Sequence, residues 1–154
     1  MWNPFAKKKQ KEIIAPAAGK IVHLEEVPDE AFSGGGMGTG FGIDFHGKNV
    51  YAPADGTVEV CFPTGHALGL TCEMGEIILH IGIDTVELNG DGFHACVKQG
   101  QTVKKGDLLV EVDSDVIREK GYNPILVFLF PNGEAVPALE YGKTVSEKEV
   151  IAKC

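Results

Sequence analysis

Ala15-Pro16-Ala17-Ala18-Gly19-Lys20-Ile21-Val22 recurs as Ala52-Pro53-Ala54-Asp55-Gly56-Thr57-Val58-Glu59, and this repetition decides how the chain folds. A second, looser pair lies further on. Gly100-Gln101-Thr102-Val103-Lys104-Lys105-Gly106-Asp107 returns at a similar offset as Gly142-Lys143-Thr144-Val145-Ser146-Glu147-Lys148-Glu149. Two copies are too few for a solenoid, which needs at least three units. Two copies facing each other can close a sandwich or a flattened barrel, each covering the other's apolar face. Between the motifs, 20 glycines and 8 prolines punctuate short apolar runs that hold almost no helical period. This pattern predicts an all-β domain, a compact antiparallel β-sandwich with internal duplication. One short helix is expected near 113–120. Asp113-Ser114-Asp115 offers capping residues there, Arg118 and Lys120 come late, and Gly121 stops the turn.

At 154 residues the chain suits a single domain, read as 13–154, behind a flexible tail at 1–12. The tail carries Trp2 and Phe5 with Lys7, Lys8, Lys9 and Lys11. Two aromatics beside a lysine cluster suit weak contact with an anionic bilayer, or a solvated tail. No run of eighteen apolar residues and no secretory h-region is present, which predicts a cytoplasmic address. Cys61, Cys72, Cys96 and Cys154 have no metal-type spacing and are expected as free thiols, three of them inside apolar strands. The net charge of −8 argues against nucleic acid as a partner. It suits either a basic protein partner or simple solubility.

Chemistry enters with Ile77-Ile78-Leu79-His80-Ile81-Gly82-Ile83-Asp84-Thr85-Val86-Glu87-Leu88. Read as a buried strand, it puts Ile77, Leu79, Ile81 and Ile83 on one face and Ile78, His80, Gly82 and Asp84 on the other. His66 follows the turn Pro63-Thr64-Gly65 and opens the run Ala67-Leu68-Gly69-Leu70-Thr71-Cys72, so the two histidines belong to one hairpin. A three-residue loop at 73–75 would pair Leu68 with His80 and leave the histidines diagonal neighbours on one face. A two-residue loop at Met74-Gly75 would set them on opposite faces. Asp84, four residues along the strand, stands too far to orient His80 directly but can rim the site. Two neutral imidazoles side by side can divide the work of phosphoryl transfer. One acts as nucleophile while its other nitrogen is held by a hydrogen bond, and the second donates to the phosphoryl oxygens. Thr64 is placed to hold the second ring. No nucleotide loop accompanies them. Gly34-Gly35-Gly36-Met37-Gly38-Thr39-Gly40 lacks the Lys-Ser/Thr ending and the following helix, so a phosphate donor would be another protein.

These residues together resemble the glucose-type IIA domain of the bacterial phosphoenolpyruvate:sugar phosphotransferase system. The matching pieces are Ile14-Ala15-Pro16 with Gly19-Lys20-Ile21-Val22, Val27-Pro28-Asp29 with Phe32, Phe62-Pro63-Thr64-Gly65-His66-Ala67 and the long run from His80 to Phe93. The resemblance implies a β-sandwich of the barrel-sandwich hybrid type and no cofactor. It implies that Nε2 of His80 accepts phosphate from the carrier HPr and passes it to a cysteine on the IIB domain of a sugar permease. His66 would stabilise the phosphoryl group, Thr64 would bond His66, and the Gly82 carbonyl would receive the Nδ1 proton of His80. Asp84, Val86 and Glu87, with Phe32, Phe41 and Phe62, match positions flanking the docking surface.

Three other readings stay open at this stage. His80-Ile81-Gly82-Ile83-Asp84 fits half of a zinc peptidase motif, without the His-x-His that would complete three ligands, although His66 and His80 could take up adventitious zinc. A biotinyl or lipoyl carrier would need its lysine at a hairpin tip, where only Lys48 is available. A binding module with two structural histidines is the plainest. His23, His46 and His94 are read as packing or surface residues.

Overall fold

Short apolar runs broken by glycine form thirteen strands in the computed structural model, which describes residues 12–153. The first five are β1 Glu12–Ile14, β2 Gly19–His23, β3 Thr39–Phe45, β4 Lys48–Tyr51 and β5 Gly56–Cys61. They are followed by β6 Ala67–Cys72, β7 Gly75–Ile81, β8 Phe93–Ala95 and β9 Thr102–Val103. The chain closes with β10 Leu108–Asp113, β11 Leu126–Phe130, β12 Thr144–Val145 and β13 Val150–Lys153. Every pairing among them is antiparallel. Eight strands form an open sheet in the order β12-β2-β3-β11-β7-β6-β5-β9, and β4-β10-β8 and β1-β13 complete the sandwich. Among the described residues no helix is long and apolar enough to cross a membrane. The aromatic and lysine cluster of the N-terminal segment lies outside the described residues, as does Cys154.

The repeats that announce the fold also hold it together. Gly56 and Thr57 of the second copy pair with Val103 and Thr102, as Gly19 and Lys20 of the first pair with Val145 and Thr144. The backbone bonds match one for one. The Ala52 N–H donates to Asp107 at 2.8 Å and the Ala15 N–H to Glu149 at 2.7 Å. The Gly100 N–H donates to Val58 and the Gly142 N–H to Ile21, each at 2.7 Å. Each Ala-Pro…Gly strand is thus closed by its own Gly-x-Thr-Val segment from far along the chain.

Alternation sorts the side chains into two clusters. Phe41, Ile43 and Phe45 of β3, Ile77, Leu79 and Ile81 of β7, and Leu126, Phe128 and Phe130 of β11 point into the main core. Val127 and Leu129 point the other way and meet Leu24, Val27, Phe32 and Ile125 in a smaller cluster. This explains why Leu126-Val127-Phe128-Leu129-Phe130 is apolar without interruption: the strand is buried on both faces. Burying one such aliphatic side chain contributes about 1.5–3 kcal/mol. The cover on the outer face is local. It consists of a 3-10 turn at Leu24–Glu26 and the four-residue helix α1, Glu30–Ser33, whose N-terminus is capped by Asp29 accepting from the Ala31 N–H at 3.0 Å.

The helix expected near 113–120 is α2, Ser114–Glu119, capped by Asp113. α1 and the 3-10 turns escape a periodicity reading because they are shorter than the pattern that reveals a helix. The run expected to continue as strand to Leu88 ends at Ile81, and Thr85–Leu88 is a 3-10 turn. Gly82 has φ +84° and Asp84 φ +59°, so alternation stops there. Ile83 packs in the outer cluster rather than with Ile77, Leu79 and Ile81. Cys61 and Cys72 are free thiols in strands, and burial pushes the Cys72 thiol up to about 11, which leaves it inert. Cys96 is free as well but exposed, just past the end of β8 rather than inside it.

Candidate functional site

His80 lies on β7 between Ala67 of β6 and Val127 of β11. Pleating turns it to the outer face, where the Phe32 ring of α1 lies with its centroid 5.0 Å away. Just beyond the strand, the left-handed backbone at Gly82 folds its carbonyl back toward the ring, and the His80 Nδ1–H donates to it at 2.8 Å. A carbonyl only accepts, so this bond assigns the imidazole proton to Nδ1. The neutral ring then keeps its lone pair on Nε2.

His66 reaches the same place by a different route from the one its spacing suggests. The hairpin loop is the two-residue Glu73-Met74, with Cys72 opposite Gly75, and not the three-residue loop at 73–75. Leu68 therefore faces Leu79, and the His66 carbonyl accepts from the Ile81 N–H at 2.7 Å. Strict alternation in that register would turn His66 to the core face, as argued for a two-residue loop. The rings meet nonetheless, edge to face, with centroids 5.3 Å apart and planes at 82°. His66 precedes the first residue of β6 and follows Gly65 at φ +73°, so the pleat does not dictate its side-chain direction. Thr64 and His66 form a close hydrogen bond between Oγ1 and Nδ1. His66 is only 6% exposed, and the Phe62 ring stands beside it at 5.5 Å.

Burial lowers the pKa of both histidines. For His80 the Gly82 carbonyl and the charges of Asp29 and Asp84 oppose that shift without cancelling it, and for His66 the neighbouring His80 deepens it. Both rings are thus favoured as neutral imidazoles. The linkage sign follows. Below an unfolded value near 6.5 the unfolded chain binds protons that the folded chain refuses, so stability is fully present above that pH and falls as pH drops toward the folded values. The urea midpoint is expected to be lower at about pH 5.5 than at about pH 7.5. Replacing both histidines by glutamine should shrink that difference, and an undiminished difference would place its origin elsewhere.

The remaining residues fall into three groups. Phe62 is 46% exposed beside His66, Val86 is 52% exposed in the 3-10 turn that follows Asp84, and Glu87 is exposed with its Oε2 accepting from the Tyr122 hydroxyl at 3.0 Å. Phe32 is buried but lies against His80. Asp84 is exposed and acts on His80 by charge, in keeping with its spacing. Phe41 does not flank the site. It is fully buried in the main core and stacks on Phe128 at 4.7 Å, because it shares a face of β3 with Ile43 and Phe45. Phe41→Ala should accordingly lower the unfolding free energy by about 3–5 kcal/mol in urea titration. A stability change within experimental error would contradict the core assignment.

Two further residues, Asp29 and Thr85, act on His80 or on the turn that follows it. Asp29 could have been found through its N-cap position before Glu30-Ala31-Phe32; Thr85 offered no signal, being a hydroxyl in a run otherwise read as strand. Among the described residues no group of three or more His, Cys, Asp and Glu side chains is arranged to hold a metal ion.

The family model of the phosphoenolpyruvate-dependent sugar phosphotransferase system, EIIA 1, matches residues 11–136. The chain is 41% identical over 145 residues to a glucose-specific EIICBA component of that system from Streptococcus pneumoniae, covering 92% of this chain and 20% of that one. It is 39% identical over 136 residues to the glucose-specific EIIA component of Bacillus cereus, covering 88% of this chain and 82% of that one. The solved structure of glucose permease IIA from Mycoplasma capricolum matches with a TM-score of 0.82 at 36% identity, over 99% of both chains.

Proposed function

This chain belongs to the EIIA 1 family of the phosphoenolpyruvate-dependent sugar phosphotransferase system, and from that premise we propose how its histidine pair carries the phosphoryl group. The nucleophile is Nε2 of His80. Its lone pair bonds the phosphorus of a phosphohistidine on the carrier HPr, the donor P–N bond breaks, and that electron pair returns to the donor ring. In the second step a cysteine thiolate on the IIB domain of a sugar permease attacks phosphorus. The His80 N–P bond then breaks, and its electrons return to Nε2. The Nδ1 proton stays on His80 throughout, bonded to the Gly82 carbonyl.

While phosphorylated, the His80 ring carries positive charge. The Gly82 carbonyl and the carboxylates of Asp29 and Asp84 favour that charge, the same influences that oppose the burial shift on the free ring. With the Thr64 hydroxyl donating to Nδ1 of His66, Nε2–H of His66 is left to donate to the phosphoryl oxygens. Phe62 and Val86 supply an exposed apolar rim for transient docking, and Asp29, Asp84 and Glu87 supply acidic charge beside it. Residues 13–154 act as a single domain, and exchange with HPr and IIB places it in the cytoplasm.

The observation that carries this reading is the Nδ1–H to Gly82 bond, which frees Nε2 beside a second imidazole 5.3 Å away. Its test is the intact mass after incubation with phosphoenolpyruvate, enzyme I and HPr. One acid-labile phosphate adduct is expected, and an unmodified mass would overturn the reading.

A further inference from the structure

We infer that Thr85 is a positioning residue for His80: its buried hydroxyl fixes the Gly82 turn whose carbonyl keeps the imidazole proton on Nδ1. The inference rests on His80 as the phosphoryl acceptor only for its consequence in catalysis. Its geometric content stands apart from that reading.

Two peptide planes flank Gly82, and their polar groups all have partners. In the first plane the Ile81 carbonyl accepts from the Thr85 Oγ1–H at 2.5 Å, and the Gly82 N–H donates to Ile125 at 2.9 Å. In the second the Gly82 carbonyl accepts from His80, and the Ile83 N–H donates to Asn123 at 2.9 Å. Apart from His80 itself, Thr85 is the one side chain in this set. It is fully buried, one of three buried polar residues among those described, and its methyl packs against Gly82: a Cβ built there would stand 2.4 Å from Thr85 Cγ2.

Without the hydroxyl, the Ile81 carbonyl is left buried and unpaired. The plane then gains by rotating, and because no side chain restrains Gly82, the rotation passes on into the Gly82–Ile83 plane. The Gly82 carbonyl swings off Nδ1, the proton redistributes toward Nε2, and the protonated fraction at Nε2 has no lone pair to offer. A β-branched hydroxyl at 85 therefore acts on the reaction through the tautomer of His80 and not by touching the phosphoryl group.

The test reads that tautomer directly. In the wild type, imidazole nitrogen NMR should show His80 with Nδ1 protonated and Nε2 bare. Thr85→Val, which keeps the shape, should draw the two nitrogen shifts toward each other and slow acceptance from phospho-HPr by about tenfold. Thr85→Ser, which keeps the hydroxyl, should restore both. A folded Thr85→Val protein with the wild-type nitrogen shifts would overturn the inference, as would Thr85→Ser behaving like Thr85→Val. If neither variant folds, hydrogen exchange decides. A Thr85 hydroxyl proton exchanging in the wild type as fast as an exposed one would overturn the inference, and a protected one supports it. Shifted nitrogens with unchanged acceptance would support Thr85 as the positioning residue while overturning His80 as the nucleophile.

Discussion

His80→Ala is expected to abolish phosphoryl uptake, leaving the intact mass unchanged after incubation with phosphoenolpyruvate, enzyme I and HPr. The fold should survive, because His80 projects from the outer face of the sheet, away from the cluster built around Phe41, Leu79 and Phe128. What is lost is the group whose Nε2 lone pair the Gly82 bond sets free. The proposed mechanism gives His66 a different task, and His66→Gln should separate the two. That variant should keep the nucleophile and take up phosphate. It lacks the ring donor that stabilises charge on the oxygens during transfer, so release to IIB should slow by about 10²-fold, the usual effect of removing one such donor. Single-turnover transfer from labelled protein to IIB measures it. Equal loss of uptake in both variants would contradict this division of labour, and a phosphate adduct on His80→Ala would move the nucleophile to His66.

Gly82→Ala should damage the site almost as severely, and from a position that touches no phosphate. The added methyl would stand 2.4 Å from the Thr85 methyl and 3.1 Å from the Asn123 carbonyl, on a backbone at φ +84° that side chains disfavour. Strain and overpacking together should lower stability by about 3 kcal/mol. Relief by rotating the turn would carry the carbonyl away from His80. Chemical denaturation and the uptake assay should therefore both change. Wild-type stability with wild-type uptake would mean that the turn has slack the packing does not suggest.

The contrast between Gly82 and His66 shows what kind of information the sequence holds. Gly82 is legible locally. It follows an apolar strand, and the bond from the His80 ring to its carbonyl closes over two residues. The duplicated Ala-Pro…Gly and Gly-x-Thr-Val motifs are legible too, and they pair with one another as repetition implies. Phe41 could have been sorted correctly by the same rule, since it alternates into the core with Ile43 and Phe45 while Gly40 and Gly42 occupy the other face.

The meeting of His66 with His80 is of another kind. Pleat arithmetic applied to the true two-residue loop separates the rings, and only the turn ahead of β6 brings them back together. Asp29 acts on His80 from a distant segment docked over Val127 and Leu129, and Thr85 reaches Ile81 because the strand ends at Gly82 rather than running on to Leu88. From the sequence by itself follow the all-β class, the duplication, the hairpin bearing two histidines and the chemistry those histidines can do, because periodicity, turn residues and functional groups are properties of neighbours along a chain. The tertiary structure alone decided the shared face of the two rings and supplied the burial that favours both as neutral imidazoles. Those depend on which carbonyl, carboxylate or hydrophobic wall arrives through space, and left-handed turns at Gly65 and Gly82 erase the alternation from which side-chain direction is otherwise read.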